Sequence, residues 1–284
     1  MLFKSFIFLF FFFSFFSYSI EHITKNVNII FVHGIGGGFE DWEPMVKESF
    51  GEEFNRIRYD FKGNLIHTAT VDTEISNVWI VSYYSKNAIK ESFFGHLQLY
   101  TDRLGNILDK IADLTGNDRF ILIAHSMGGL VSRNLMVKSQ ERWDSVYKIL
   151  TVGTPHNGVR MSVGVTGQFR DLVPSSKFFK SLNARWNSYY DISKNKKWGV
   201  IGAYHPLKSS NKLLRKGKAT DLGGPGWVAI YSSIPHKEWK DALNSVGKSV
   251  LDTPFFGFRA LVVAGHNDLL IDPITRMGID WTLK

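Results

Sequence analysis

A serine hydroxyl is a poor nucleophile until a base takes its proton and nearby donors stabilise the oxyanion formed on attack at a carbonyl. The residues around Ser126 supply a setting for that chemistry. The run Phe120-Ile121-Leu122-Ile123-Ala124-His125-Ser126-Met127-Gly128-Gly129-Leu130-Val131 reads as an apolar strand, a sharp turn and a helix, with the serine at the apex. This is the G-x-S-x-G elbow with Ala124 in the first glycine position. Such a turn strains the serine backbone and crowds its neighbours, so small residues belong at Ala124 and Gly128. It lifts the hydroxyl clear of the sheet and sets the next amide at a helix N-terminus, where it can stabilise an anion. The chemistry implied is acyl transfer. The chain has no cysteine, so thiol catalysis, thiolate metal sites and disulfides are excluded.

The elements that must position this serine alternate in type. Val27 to Val32 is apolar apart from Asn28, as expected of a buried parallel strand, and it ends in His33-Gly34-Ile35-Gly36-Gly37-Gly38. Trp42 to Phe54 reads as a helix and Val78 to Tyr84 as a second strand. Phe94, Leu97, Leu104, Ile107, Leu108, Ile111 and Leu114 recur at helical spacing. Phe120 to Ala124 is a third strand, Met127 to Lys138 a helix, and Ile149 to Val152 a fourth strand. Strand and helix in alternation, with buried strands, predict an α/β fold on a mostly parallel sheet.

Residues 156–226 are rich in Ser, Asn, Lys and Gly, and are read as one insertion over the carboxyl edge of the sheet, a lid or cap. Regular patterns return with Trp227 to Tyr231 as a strand, Lys237 to Val250 as a helix and Arg259 to Ala264 as a strand. Asp272-Pro273 predicts an N-cap with proline at the first helical position, and Ile274, Met277 and Trp281 are expected on one face of the closing helix.

The run Ile30 to Gly38, the elbow Ala-His-Ser-Met-Gly-Gly and the motif Val152-Gly153-Thr154-Pro155-His156-Asn157-Gly158 together resemble the lipase/esterase branch of the α/β-hydrolase superfamily. Asp171-Leu172-Val173-Pro174-Ser175-Ser176 with Leu182-Asn183 is similar to a segment of such lipases. The resemblance implies Ser126 as nucleophile and His33-Gly34 as an oxyanion loop, with the backbone N–H groups of Ile35 and Met127 as donors. In that superfamily the triad runs Ser, Asp or Glu, then His. His266 follows the last strand and precedes Leu269-Leu270 and the terminal helix, which makes it the expected base. His125 is expected to pack in the elbow, His156 belongs to the Thr-Pro-His motif, and His236 precedes the last strand. The acid should follow the penultimate strand, here placed at Trp227 to Tyr231, which points to Asp241; Asp252, Glu238 and Asp268 stay open.

The resemblance implies hydrolysis of a lipid or long-chain ester with no metal or cofactor. A lipid acyltransferase with the same triad and a non-catalytic binding protein are the alternatives. Lys4 followed by the apolar run Phe6 to Phe16 and Ser17-Tyr18-Ser19 predicts a signal peptide over 1–19, or an uncleaved anchor, ahead of a domain spanning 20–284. A secreted, periplasmic or envelope location follows. The net charge is +8, and Lys194, Lys196, Lys197, Lys208, Lys212, Arg215, Lys216 and Lys218 form a basic stretch read as solvated surface that could meet an anionic membrane. No zinc-finger spacing or RNA-binding signature accompanies it, so nucleic acid is not an expected partner.

Overall fold

Apolar runs bounded by glycine, asparagine and charged residues set the strands. β1 (Asn28–Val32), β4 (Val78–Ser82) and β5 (Phe120–His125) are buried at every position. A strand presents alternate side chains to opposite faces, so burial throughout requires a cover on both sides. Ile30, Val32, Leu122 and Ala124 enter one core and Ile29, Phe31, Ile121 and Ile123 the other. The computed structural model describes residues 27–60, 62–69, 76–85, 91, 95–159, 167–193, 197–204, 220–221 and 228–284. The expected signal segment 1–19 and the basic residues from Lys208 to Lys218 lie outside them.

Six further strands complete the main sheet: β2 (Asn55–Tyr59), β3 (Leu65–Ala69), β6 (Val146–Val152), β7 (Trp198–Tyr204), β8 (Ser249–Leu251) and β9 (Phe258–Val263). Their spatial order is β8-β9-β7-β6-β5-β1-β4-β2-β3. All neighbours are parallel except β2 with β3 and β8 with β9, which close the two edges. The longer helices are α1 (Glu43–Phe50), α2 (Leu97–Thr115), α3 (Met127–Met136), α4 (Lys177–Ser193) and α5 (Pro273–Thr282). The core with α2, α3 and α4 covers one face, and the core with α1 and α5 covers the other.

β1 and β5 are adjacent and parallel, yet β1 leads to α1 on one face and β5 to α3 on the other. Diverging connections open a crevice at the carboxyl ends of such a strand pair. The His33–Gly38 loop and Ser126 both lie at those ends.

The second half of the chain departs from expectation. Residues 156–226 are not one insertion over the sheet edge: β7 lies inside the sheet between β6 and β9, and Leu182 and Trp186 of α4 are fully buried in the core. Gly199 and Gly202 concealed this strand, because they dilute its apolar pattern. Both make room for packing: a Cβ on Gly199 would lie 2.7 Å from the Trp281 ring, and one on Gly202 the same distance from Ser233 Oγ. The strand expected at Trp227 to Tyr231 is a two-residue pairing of Val228–Ala229 with Thr220–Asp221, followed by a short helix, Ile230–Ser233. The helix expected over Lys237 to Val250 covers only Trp239–Leu243, and Ser249 onward is strand.

Lys197, expected in solvent, is buried. Its Nζ donates to the Trp143 and Val146 carbonyls and sits 4.8 Å from the Trp143 ring centroid, and burial lowers its pKa to about 8. Asp272 caps α5 through Oδ1, which accepts from the Ile274 N–H. The buried face of α5 is Thr275, Gly278, Ile279 and Thr282, whereas Met277 is exposed.

Candidate active site

Ser126 stands between β5 and α3 with φ 51° and ψ −126°, a backbone conformation that costs energy for any residue bearing a Cβ. The surroundings hold it there. Its N–H donates to the Val152 carbonyl at the end of β6, and its own carbonyl accepts from Gly129 N–H. A Cβ on Gly128 would lie 2.3 Å from the His33 carbonyl oxygen, and one on Gly129 would lie 2.1 Å from Thr154 Oγ1. The helix therefore starts flush against the loop after β1, and the Met127 N–H belongs to its first turn.

His266 follows β9, and its Nε2 lies 2.9 Å from Ser126 Oγ. With the serine hydroxyl donating and Nε2 accepting, this is the arrangement in which the imidazole can take the proton. Two contacts fix the ring. His125 Nε2 donates to the His266 carbonyl, and the two rings pack at a tilt of 39° with centroids 4.7 Å apart. Gly153 approaches from the other side: at φ 60°, a Cβ would come within 2.9 Å of the His266 ring. Burial and the neighbouring His266 hold the His125 pKa well below the usual histidine range, so His125 stays neutral and serves to position its neighbour.

The loop after β1 is oriented by its carbonyls. His33 Nδ1 donates to the Gly34 carbonyl at 2.7 Å, and Ser82 Oγ donates to His33 Nε2. Full burial lowers the His33 pKa to about 4, which keeps this ring neutral too. The Tyr83 hydroxyl shares its proton between the His33 and Gly34 carbonyls. In a trans peptide the N–H points opposite to the C=O, so anchoring the Gly34 carbonyl on these donors turns the Ile35 N–H away from them. Gly34 itself lies against the serine: a Cβ there would be 2.9 Å from Ser126 Cβ.

The acid expected from sequence is not at this site. Asp241 is an exposed residue of the helix Trp239–Leu243, and the structure does not bring it to His266. That expectation followed from taking Trp227 to Tyr231 as the penultimate strand, a place held by β7. Glu238 is committed elsewhere: Oε2 pairs with Arg259 at 3.1 Å, and Oε1 accepts from Thr253 Oγ1 and the Phe255 N–H. Asp252 is exposed in a tight turn at φ 49°. Asp268 is exposed as well, and its Oδ2 accepts from the Gly265 N–H, shaping the turn that carries His266.

Sequence reasoning missed a second polar cluster on α3. Arg133 is buried, and its guanidinium stacks on Trp186 and Trp198 at 4.4 and 4.8 Å. Nη1 donates to His156 Nδ1 at 3.0 Å, which makes His156 Nε2 the protonated nitrogen facing Thr151 Oγ1. Thr151 in turn donates to the Gly199 carbonyl and accepts from Trp198 Nε1. Arg133 is the one charged residue in the run Met127 to Met136, and the structure buries every residue of that helix.

A parallel sheet with helices on both faces, a strained serine after β5 and a histidine bonded to it after the last strand define a serine hydrolase of the α/β-hydrolase fold. The chain belongs to the PGAP1-like alpha/beta domain family, whose sequence profile matches residues 24–214. A relative from Candida albicans named GPI inositol-deacylase is 24% identical over 247 residues, covering 82% of this chain and 60% of the relative. Another of that name, from Chaetomium globosum, is 23% identical over 175 residues, covering 59% of this chain and 14% of the relative. The chain thus spans less than two thirds of the length of either. Among solved structures, the product of the lin2722 gene of Listeria innocua superimposes with a TM-score of 0.57 at 12% identity, covering 91% of this chain and 94% of its own. The Bacillus licheniformis lipase BlEst2 gives a TM-score of 0.50 at 15% identity, over 90% of this chain and 50% of its own.

Proposed function

We propose that the chain hydrolyses a carboxylic ester of a lipid, cutting an acyl chain from an inositol-bearing glycolipid. The observation that carries this reading is the 2.9 Å contact between Ser126 Oγ and His266 Nε2 at a strained elbow. Ser126 Oγ attacks the ester carbonyl while its proton passes to His266 Nε2. The Ile35 and Met127 N–H groups hold the oxyanion, which collapses as the protonated His266 returns the proton to the departing inositol oxygen. Water then attacks the acyl-enzyme with His266 as base, releasing the fatty acid and regenerating the serine. No metal or organic cofactor is called for in either half-reaction. The inositol-lipid substrate is taken from the names of the relatives; the ester chemistry stands on the site alone.

Asp221 is the proposed triad acid. β7 is the parallel strand beside β9, so the acid belongs on the chain that leaves Tyr204, and Asp221 is the first acidic residue after it. Its backbone pairs antiparallel with Val228, and the Ile230–Ser233 helix that follows Ala229 lies against the motif after β6: the Ser232 carbonyl accepts from His156 N–H.

A fluorophosphonate probe is expected to label the wild type at Ser126 and to leave Ser126→Ala unlabelled. Acyl release from an inositol-acylated glycolipid should follow the same pattern. Absence of labelling under every condition would overturn the hydrolase reading; labelling without acyl release would overturn the inositol-lipid substrate.

A further inference from the structure

Arg133 brings a charge into the core without an acid to balance it. Among the described residues no carboxylate lies within ion-pair distance of its guanidinium, although it is 98% buried by the 2% exposure of the residue. The neighbour it does have adds no negative charge. The hydrogen-bond chain from Arg133 through His156 and Thr151 to the Gly199 carbonyl fixes His156 as a neutral acceptor, and burial beside Arg133 keeps it so. The Asn183 Oδ1 contact is long, at 3.4 Å, and Nε has no hydrogen-bond partner. A guanidinium carries five N–H donors, so most of its capacity is uncommitted. The two indole faces stabilise the cation, but they offer no counter-charge.

This arginine lines a cavity of about 130 Å³. The volume is several times that of a water molecule. The wall is mostly polar, with Arg133, His156, Asn183, Asn187 and His236 among its residues, while Trp198 and Pro235 form the apolar side. None of its lining residues is acidic. Asn187 is exposed and stands at the rim. A burial site with one fixed positive charge, amide donors and room for a small ion is complementary to an oxyanion.

We propose that this cavity binds a phosphate-type oxyanion, with Arg133 as the charged ligand and the Asn183 and Asn187 amides as additional donors. The site lies on α3 but is separate from the nucleophile: Arg133 is seven residues beyond Ser126, about 10 Å along the helix axis. The inference stands whether or not the chain hydrolyses an ester. The anion comes either from free phosphate or from a phosphodiester lipid headgroup, and the two share the same recognition chemistry.

The test is titration of the full chain with inorganic phosphate by calorimetry at matched ionic strength, alongside flotation with phosphatidylinositol vesicles and with phosphatidylcholine vesicles. Arg133→Gln is expected to abolish binding. Because that variant also loses the His156 contact and its fold is at risk, Asn187→Asp at the rim is the deciding comparison. It places a carboxylate at the cavity mouth and should weaken phosphate binding at least tenfold while leaving Tm unchanged. Saturable phosphate binding lost in Asn187→Asp supports a site for the free ion. Binding confined to phosphatidylinositol vesicles and lost in the same variant supports the headgroup. No saturable binding of either, or equal binding by wild type and Asn187→Asp, overturns the proposal.

Discussion

The two ends of α3 are built on opposite electrostatic rules. At its start, His33 and His125 are buried and held neutral, each ring bonded to a carbonyl oxygen, so no formal charge competes with the dipoles around Ser126. Seven residues on, Arg133 is a buried charge placed among amides and a neutral imidazole. A nucleophile is served by preorganised dipoles aimed where negative charge will develop. A fixed cation suits a ligand that arrives already charged. One helix thus separates a site for making an anion from a site for holding one.

The first way to break that comparison is to remove the nucleophile. Ser126→Ala should lower ester hydrolysis by about 10⁴-fold or more and leave phosphate binding at Arg133 unchanged. A surviving rate within tenfold of wild type would remove Ser126 from the reaction. Next comes the acid. Asp221→Asn should cost about 10³- to 10⁴-fold in kcat, while Asp241→Asn, on the surface, changes it less than about twofold. The opposite ranking would restore Asp241 to the triad.

The neutrality of the buried histidines has a pH signature. His33 takes up its proton near pH 4 in the fold but near 6.5 when unfolded, so between those values only the unfolded chain binds it. Stability should be full above pH 6.5 and fall on acidification, by about 3 kcal/mol from His33 once pH 4 is reached. His125 and His156, also held below the usual range, act in the same direction. Urea unfolding at a series of pH values measures this, and constant stability from pH 6.5 to 4 would contradict it. A smaller effect is expected from Gly153→Ala, which strains a residue at φ 60° and pushes on the His266 ring. It should lower kcat about 100-fold with little change in KM, the behaviour of a misplaced base.

Legibility in the sequence followed locality. β1, β4 and β5 announce themselves as unbroken apolar runs, and the elbow joins strand, serine and helix within twelve residues, so Ser126 could be found from its neighbours alone. His266 was reachable because it directly follows the last strand, β9, and precedes a capped terminal helix. The proposed acid, Asp221, was not, because proposing it requires counting strands. β7 carries glycines at 199 and 202 that admit Trp281 and Ser233, and without that strand the count slipped to Trp227 and then to Asp241. Lys197 was misread for a related reason: composition marks lysine-rich chain as surface, but two free carbonyls and an indole face made an interior berth for this one.

The glycines that crowd Ser126 and His266 also bear on how this site can change. Gly34, Gly128, Gly129 and Gly153 each abut another residue so closely that even a methyl group would collide. A mutagenesis library aimed at new acyl preference would lose its members at those four positions to misplaced catalytic groups before specificity could be screened. The productive diversity lies elsewhere, at Ile35, which is half-buried against the core and already carries a side chain. Those four positions leave no room for a side chain, so variation has to enter around them.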